Sequence, residues 1–222
     1  MCLQLNYGYS SELMNFSGSD KCSQRRINIG AVVLAAGAGS RLGYRPKALI
    51  KVRGKTLLKR LVFSLLDAGL NEVIVVTGHY REQVIPSLSG MPVGYVEQPN
   101  AQHHQADSLR LGIKGLKNDF DAVMVLPADM PCLTREDLVA LIEVFKHADR
   151  EIEFVGPLVN GQPGNPVIFT SSISNKIIGK QGDFGSGNWR HQSHPWLLNW
   201  ETNNMNYVSD IDTPEDLADW ED

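Results

Sequence analysis

The segment Leu34 to Lys47, LAAGAGSRLGYRPK, joins a run of small residues to nearby basic residues, a combination that suits phosphate binding. Small residues let the backbone approach a ligand closely, and successive backbone amides in such a loop form a concave anion site. On its own, a Gly-x-Gly turn is equally typical of an anion site and of an ordinary strand-to-helix connection. Arg41 and Lys47 at this distance favour the anion site, with the lysine acting as a point charge on phosphate oxygens.

The same segment excludes two better-known phosphate loops. It is not a Walker A loop, because no Gly-Lys-Ser/Thr follows the glycines. Nor is it a complete Gly-x-Gly-x-x-Gly followed directly by a helix.

Asp129 lies in the sequence LPADMP, directly after the apolar run AVMVL. A carboxylate at the end of a buried strand is costly unless it is paired, hydrogen-bonded or bound to a metal. Two roles are open from the pattern: a turn aspartate that caps local N–H groups, or an oxygen ligand for Mg²⁺.

A second acidic segment, DIDTPEDL, begins at Asp210. Asp210 alternates with apolar Val208 and Ile211, so its side chain could face the same site. Asp212 precedes Thr213, the expected N-cap of a helix that holds further acids in its first turn. One carboxylate from each acidic segment, with phosphate oxygens and water, would complete octahedral Mg²⁺.

Alternating strands and helices are predicted to position these residues. Short apolar runs predict strands at 29–36, 72–76, 93–96 and 122–126, and helical spacing predicts helices at 56–68, 81–88, 108–116 and 134–147. The pattern indicates an α/β fold with a Rossmann-like, doubly wound, mostly parallel sheet in three α/β/α layers. Ligands bind such sheets beyond the carboxyl ends of the strands, where the glycine-rich loop and Asp129 would meet.

The pattern is less regular after residue 150. It predicts strands at 154–157 and 166–169, a short helix at 171–178 and a last helix that begins at Thr213. The spacing of Trp189, Trp196 and Trp200 suggests one packed helix face. We expect residues 1–27 to form a poorly ordered N-terminal extension and residues 28–222 to form a single domain.

Composition narrows the classes of partner. The formal net charge of −4 and the pI of about 5.9 argue against a general nucleic-acid binder. No apolar run approaches the ~18 residues that a membrane span requires, and the N-terminus lacks the pattern of a signal peptide. The three cysteines form no C-x-x-C pair. We therefore expect a cytoplasmic protein with neither nucleic acid nor membrane as a partner.

Three ordered motifs, LAAGAGSRLG-x-x-PK, LPADMP and DIDTPEDL, resemble those of the MobA-like NTP transferases over about residues 29 to 220. The resemblance is closest to the molybdenum cofactor cytidylyltransferases. It implies a Rossmann-like fold that binds an NTP with Mg²⁺. It also implies that the phosphate of a molybdopterin-type acceptor attacks the α-phosphate and that pyrophosphate leaves.

At the matching positions, the resemblance implies specific roles. Arg41, Lys47 and Asp129 would be catalytic, and Asp129 and Asp210 would bind the metal. The nucleotide would contact Leu34, Ala35, Ala36, Gly37, Gly39, Ser40, Arg41, Lys47 and Ser108.

Asn165 and Asp183 match the acceptor side, but Asn165 stands where histidine is common, and the loop after Gly185 departs from the family pattern. Ala35-Ala36, where the guanylyl branch would have Gly-Gly, favours CTP as donor. A molybdoenzyme or its chaperone would be a protein partner.

Two alternatives stay open. A sugar-phosphate nucleotidyltransferase would share the phosphate loop, typically in a longer chain. A non-catalytic chaperone could hold a nucleotide or pterin cofactor for an apo-enzyme, although it would not need Lys47, Asp129 and Asp210 together. A dinucleotide-dependent dehydrogenase is disfavoured, because the region ~20 residues beyond the glycines is predicted to be helical rather than to end a second strand with an acidic residue.

Overall fold

The computed structural model describes residues 27–99, 104–179, 194–218 and 220. Within these residues the strands are β1 (Ile29–Ala35), β2 (Lys51–Val52), β3 (Lys55–Thr56), β4 (Val73–Thr77), β5 (Gly94–Glu97), β6 (Ala122–Pro127), β7 (Phe154–Val159), β8 (Gln162–Pro163), β9 (Val167–Thr170) and β10 (Leu197–Glu201). The α-helices are α1 (Leu57–Asp67), α2 (Arg81–Ser87), α3 (Gln105–Gly115), α4 (Arg135–His147), α5 (Ser171–Ile178) and α6 (Pro214–Ala218). Short 3₁₀ helices cover Ser40–Leu42, Lys47–Leu49 and Met205–Tyr207.

The main sheet is mixed but mostly parallel. Its order is β10-β7-β9-β6-β1-β4-β5, with β8 paired to β7, while β2 and β3 form a separate hairpin. The strands β6, β1, β4 and β5 run parallel, β9 runs antiparallel between β6 and β7, and β10 is parallel to β7. The central strands are nearly continuous apolar runs because helices cover both of their faces.

Two hydrophobic cores, one on each face of the sheet, give the three layers. Ala31 and Val33 of β1 pack into the core under α1, α2 and α4. Val32 points the other way, into the core under α3 and α5. The alternation along β1 therefore places a helical layer on each side, which confirms the predicted fold class.

Local signals in the sequence explain several helix boundaries. Thr56 caps α1 by accepting a hydrogen bond from the backbone N–H of Lys59 (3.2 Å), and Thr134 caps α4 by accepting one from the backbone N–H of Asp137 (3.3 Å). Helix α3 begins at Gln105, three residues before the predicted start, because His104 and Asp107 form a capping box there. None of the helices in the described ranges is long and apolar enough to cross a membrane.

The tryptophan segment differs from its prediction. Trp200 lies in strand β10, whose Leu197 pairs with Phe154 of β7, so a shared helix face for Trp196 and Trp200 is wrong. Pairing with the edge of the sheet decided the conformation, because apolar residues at short spacing suit a strand as well as a helix. Trp189 and residues 1–26 of the predicted extension at 1–27 lie outside the described residues.

Asp137 anchors the chain that leads towards α6. Its side chain is buried and accepts hydrogen bonds from the side-chain amides of Asn204 (2.6 Å) and Asn206 (3.0 Å) and from the backbone N–H of Thr134 (2.9 Å). The hydroxyl of buried Tyr207 donates to the Asp137 carbonyl at 2.8 Å. The cap of α4 therefore also fixes the position of residues 204–207.

Asp137→Ala tests this anchor. We expect a loss of about 2–4 kcal/mol in the free energy of unfolding, because the variant leaves buried donors without an acceptor and removes part of the α4 cap. Urea unfolding measures it. Glu136→Ala, in the same helical turn but exposed, should cost less than about 1 kcal/mol. Equal effects of the two substitutions would contradict the anchoring role.

Candidate active site

A cavity of about 340 Å³ opens beyond the carboxyl ends of β1 and β6. Its walls come from the glycine-rich loop, the start of α3, the residues after β6 and the segment before α6. The lining residues predicted from the sequence are Leu34, Ala35, Ala36, Gly37, Gly39, Ser40, Arg41, Lys47, Ser108 and Asp129. Further lining residues include Tyr80, Gln105 and Asp212.

The glycine-rich loop folds back on itself at Gly39. This residue has a φ of 61°, and a side-chain carbon added there would meet the carbonyl oxygen of Arg45 at 2.1 Å. The Gly39 carbonyl accepts from the N–H groups of Leu42 (2.9 Å) and Tyr44 (3.0 Å). Only glycine fits this turn, which shapes the loop around the cavity.

Two contacts hold the loop against the rest of the fold. Leu42 is buried in a small cluster with Val52, Leu57 and Ile211, so the loop packs against the segment that precedes α6. The hydroxyl of Tyr80 donates to the Tyr44 carbonyl and lies 3.1 Å from the carbonyl oxygen of Ala38. The loop is therefore positioned before any ligand binds.

Lys47 connects the two acidic segments. Its Nζ atom lies 3.2 Å from Oδ2 of Asp129 and donates a second hydrogen bond to Oδ1 of Asp212. Nη1 of Arg41 lies 2.5 Å from Oδ2 of Asp212, although the Arg41 side chain itself is mostly exposed. Two cations and two carboxylates thus meet at the floor of the cavity.

The pKa shifts at this cluster reflect burial opposed by pairing. Burial disfavours the charged form of Lys47, but its bond to Asp212 and the charge of Asp129 outweigh burial and raise its pKa. Burial raises the pKa of Asp129, and the charge of Lys47 only partly offsets this effect. Asp129 is therefore a largely buried carboxylate whose charge is stabilised by a nearby cation, here the Lys47 ammonium.

Asp212, rather than Asp210, lines the cavity. Ile211 between them is fully buried, and its N–H donates to the carbonyl of Asp129 at 3.1 Å. Asp210 has an exposed surface, and partial desolvation followed by the charges of Asp129 and Asp212 raises its pKa. Asp212 was not predicted to line the site, although the alternation about Ile211 that indicated Asp210 applies equally to it.

Two polar atoms at the cavity are buried and have no hydrogen-bond partner among the described residues: Oγ of Ser108 and Oδ1 of Asp129. Ser108 lies in the first two turns of α3 and is 2% exposed. Buried polar atoms without a partner are rare and costly. Both residues line the cavity, so a ligand or metal ion bound there is the candidate partner for these two atoms.

Comparison with known proteins agrees with this geometry. A family model of the MobA-like NTP transferase domain matches residues 31–196, well over half of the 222 residues. The chain belongs to the MobA-like NTP transferase family.

Curated relatives of this MobA-like chain are longer proteins. The bifunctional IPC transferase and DIPP synthase of Rubrobacter xylanophilus is 40% identical over 111 residues, which cover 48% of this chain and 26% of that protein. The bifunctional protein GlmU of Sorangium cellulosum is 36% identical over 118 residues, covering 50% and 25%. The match thus spans about a quarter of the length of these relatives.

Solved structures share the fold. Rv0371c from Mycobacterium tuberculosis H37Rv superposes with a TM-score of 0.73 at 23% identity, covering 88% of this chain and 98% of that one. A complex of Rv0371c with manganese gives 0.68 at 22% identity, covering 87% and 97%. The 4-diphosphocytidyl-2C-methyl-D-erythritol synthase of Anaerococcus prevotii gives 0.67 at 16% identity, covering 86% and 93%.

Asn165, predicted from the resemblance to lie on the acceptor side, does not line the cavity. Asn165 precedes β9, whose Val167 pairs with Val125 of β6, so it lies towards the same rim as Asp129. Its backbone N–H donates to the Tyr207 carbonyl at 2.7 Å. Asp183 falls outside the described residues.

The oxygen donors at the cavity suit a hard divalent cation such as Mg²⁺. No group of three or more His, Cys, Asp or Glu side chains in the described parts of the chain is arranged to hold a metal. Mg²⁺ does not require one, because it binds through one or two carboxylates together with substrate phosphates and water. Asp129 with its unpaired oxygen, and Asp212 beside it, match that requirement.

Gly39→Ala tests the loop geometry. We expect a loss of about 2 kcal/mol or more in the free energy of unfolding, because alanine must adopt a positive φ and clashes with the Arg45 carbonyl. Gly37→Ala is the matched control, since nothing lies within 4 Å of its added carbon, and it should change stability by under about 0.5 kcal/mol. Chemical unfolding of both variants is the measurement, and a Gly39→Ala protein as stable as the control would refute the turn's requirement for glycine.

Proposed function

We propose that this chain is a metal-dependent nucleotidyltransferase that transfers a nucleoside monophosphate from an NTP to an anionic acceptor and releases pyrophosphate. The observation that carries the proposal is the meeting of the glycine-rich loop, Lys47, Asp129 and Asp212 around one cavity. A phosphate loop alone would support only nucleotide binding. The carboxylates beside the loop supply ligands for the metal ion that phosphoryl transfer requires.

This chemistry asks the protein mainly for alignment and charge neutralisation. A phosphate acceptor is already an anion, so it needs no general base. The loop amides, Arg41 and Lys47 would hold the donor phosphates and stabilise charge that develops on the α-phosphate and the leaving pyrophosphate. Ser108, with its buried and unpaired hydroxyl, would contact the nucleoside.

Asp129 and Asp212 would hold Mg²⁺, with Asp210 as the other carboxylate indicated by the sequence. When bound, Mg²⁺ supplies Lewis-acid neutralisation of the phosphate oxygens. The unpaired Oδ1 of Asp129 and the similarity to a manganese-bound protein of the same fold support a divalent metal at this place. Mg²⁺ is the choice because its ligands are hard oxygens and phosphates.

CTP is the favoured donor and a molybdopterin-type phosphate the favoured acceptor. Ala35-Ala36 matches the cytidylyl branch, and a structural neighbour is named as a diphosphocytidyl synthase. The acceptor follows from the resemblance to molybdenum cofactor cytidylyltransferases, which also suggests a molybdoenzyme or its chaperone as the recipient of the product. A sugar phosphate is the second candidate acceptor, because Asn165 departs from the histidine common at that position.

A substrate matrix tests the donor and the acceptor together. CTP, GTP, ATP and UTP are each combined with Mg²⁺ and either molybdopterin-type or sugar-phosphate acceptors, and pyrophosphate is measured. We expect release with CTP and the molybdopterin-type acceptor, because the acceptor phosphate is the nucleophile. Nucleotide binding without pyrophosphate release for any pair would instead favour a non-catalytic, chaperone-like role.

Carboxylate variants test the metal site. Asp129→Ala and Asp212→Asn should each lower kcat roughly a hundredfold or more, because each removes charge that orients the metal at the transferring phosphate. Asp210→Asn should lower kcat by less than about tenfold, since Asp210 does not line the cavity. Steady-state pyrophosphate release measures all three. If Asp210→Asn were the more damaging of the neighbouring pair, the sequence-based metal ligand would be right and the choice of Asp212 wrong.

A further inference from the structure

The ammonium of Lys47 lies where two carboxylates face each other. It pairs with Asp129 on one side and Asp212 on the other, and all three side chains are at most about one-third exposed (19%, 17% and 35%). Arg41 provides Asp212 with a second cation, at 2.5 Å. The pocket floor is therefore charge-balanced by the chain's own cations.

We propose that the Lys47 ammonium acts as a resident cation: it occupies the site between Asp129 and Asp212 and prevents a free divalent metal ion from binding there. When the triphosphate binds, its oxygens attract the ammonium away from the carboxylates, and the metal ion can then bind to them. The proposal rests on the nucleotidyltransferase function argued above. It adds a condition for metal entry: the metal binds together with the nucleotide rather than before it.

The geometry explains why a free metal ion would compete poorly. Mg²⁺ needs carboxylate oxygens at about 2.0–2.1 Å in near-octahedral geometry and gives up its water reluctantly. Here the facing oxygens of Asp129 and Asp212 already accept hydrogen bonds from Lys47. A metal ion bound between them would sit beside the ammonium or expel it, and both cost free energy at a partly buried site.

A triphosphate removes this obstacle. It brings several negative charges into the cavity beside the glycine-rich loop, and it offers Lys47 more acceptor oxygens than the two carboxylates do. The lysine can respond without moving its backbone, because its flexible stem carries a point charge with rotatable donors. The backbone stays fixed through the 3₁₀ turn, in which Ile50 N–H donates to the Lys47 carbonyl at 3.1 Å.

A purely structural ion pair would behave differently. If Lys47 only stabilised the fold, its ammonium would stay on both carboxylates when metal and triphosphate bind. If it occupies the place of the metal ion, the ammonium leaves the carboxylates only when the triphosphate binds. A gain in metal affinity on removal of the Lys47 charge is required by the proposal, and the position of the ammonium with and without nucleotide separates the two roles.

The first experiment titrates Mn²⁺ alone into the nucleotide-free protein and follows the free-ion signal by electron paramagnetic resonance. We expect Lys47→Met to bind Mn²⁺ at least tenfold more tightly than wild type. Lys51→Met is the matched control: Lys51 is an exposed lysine four residues along and has no ion-pair partner among the described residues. The control should stay within twofold of wild type. Equal or weaker Mn²⁺ binding by Lys47→Met overturns the proposal.

A second measurement uses the wild-type chain, so it stands even if Lys47→Met does not fold. Lysines are labelled by reductive ¹³C-methylation, which keeps their charge, and the Lys47 resonance is assigned by its absence from Lys47→Arg. We expect Mg²⁺ alone to leave that resonance in place, and Mg²⁺ with a non-hydrolysable CTP analogue to shift it. An equal shift with Mg²⁺ alone overturns the proposal.

Pyrophosphate release by the wild type separates failure of this proposal from failure of the proposed function. No release with any donor and acceptor means that the nucleotidyltransferase function is wrong, whatever the Mn²⁺ titration gives. Metal-dependent release together with unchanged Mn²⁺ affinity in Lys47→Met means that only the resident-cation role is wrong.

Discussion

The surrounding structure must hold Lys47, Asp129 and Asp212 together, because the ion pairs between them balance the charge at the cavity. Asp129 is buried at the end of β6, so its charge is costly unless a cation lies beside it. The three residues come from distant parts of the chain: the glycine-rich loop, the end of a central strand and the segment before the last helix. Leu42 and Ile211, packed in one small cluster, hold the first and last of these parts together. The charge balance at the cavity therefore depends on apolar packing just behind it.

The antiparallel strand β9 divides the sheet into two parts with different roles. The parallel strands β6, β1, β4 and β5 end at the rim that carries the glycine-rich loop and Asp129. Because β9 runs the opposite way, its beginning rather than its end lies beside the carboxyl end of β6. This reversal brings the chain around Asn165 to the rim that carries the glycine-rich loop and Asp129. A fully parallel sheet would have placed that segment at the opposite edge.

Much of the fold was predictable because its signals are local. The central strands are apolar runs buried on both faces, and the start of α4 at Thr134 carries a recognisable cap. Thr56 was placed inside its predicted helix and is the cap of α1 instead. The strand at Trp200 was not predictable, because its conformation is set by pairing with β7 rather than by its own pattern. Asp210 was predicted to bind the metal from an alternation that Asp212 shares. Contacts across the fold distinguish the two residues: Lys47 reaches Asp212, and Ile211 is held by the Asp129 carbonyl.

Asp137 has two structural roles. It caps α4, and it also holds Asn204 and Asn206 in the chain that runs on to Asp212. The Tyr207 carbonyl, fixed by the same contacts, receives the N–H of Asn165. A helix cap thus sets the spacing between the segment around Asn165 and the carboxylates that line the cavity. Any substitution in residues 204–207 would have to retain the contacts of Asp137, because a displacement of that segment would reach both Asn165 and Asp212.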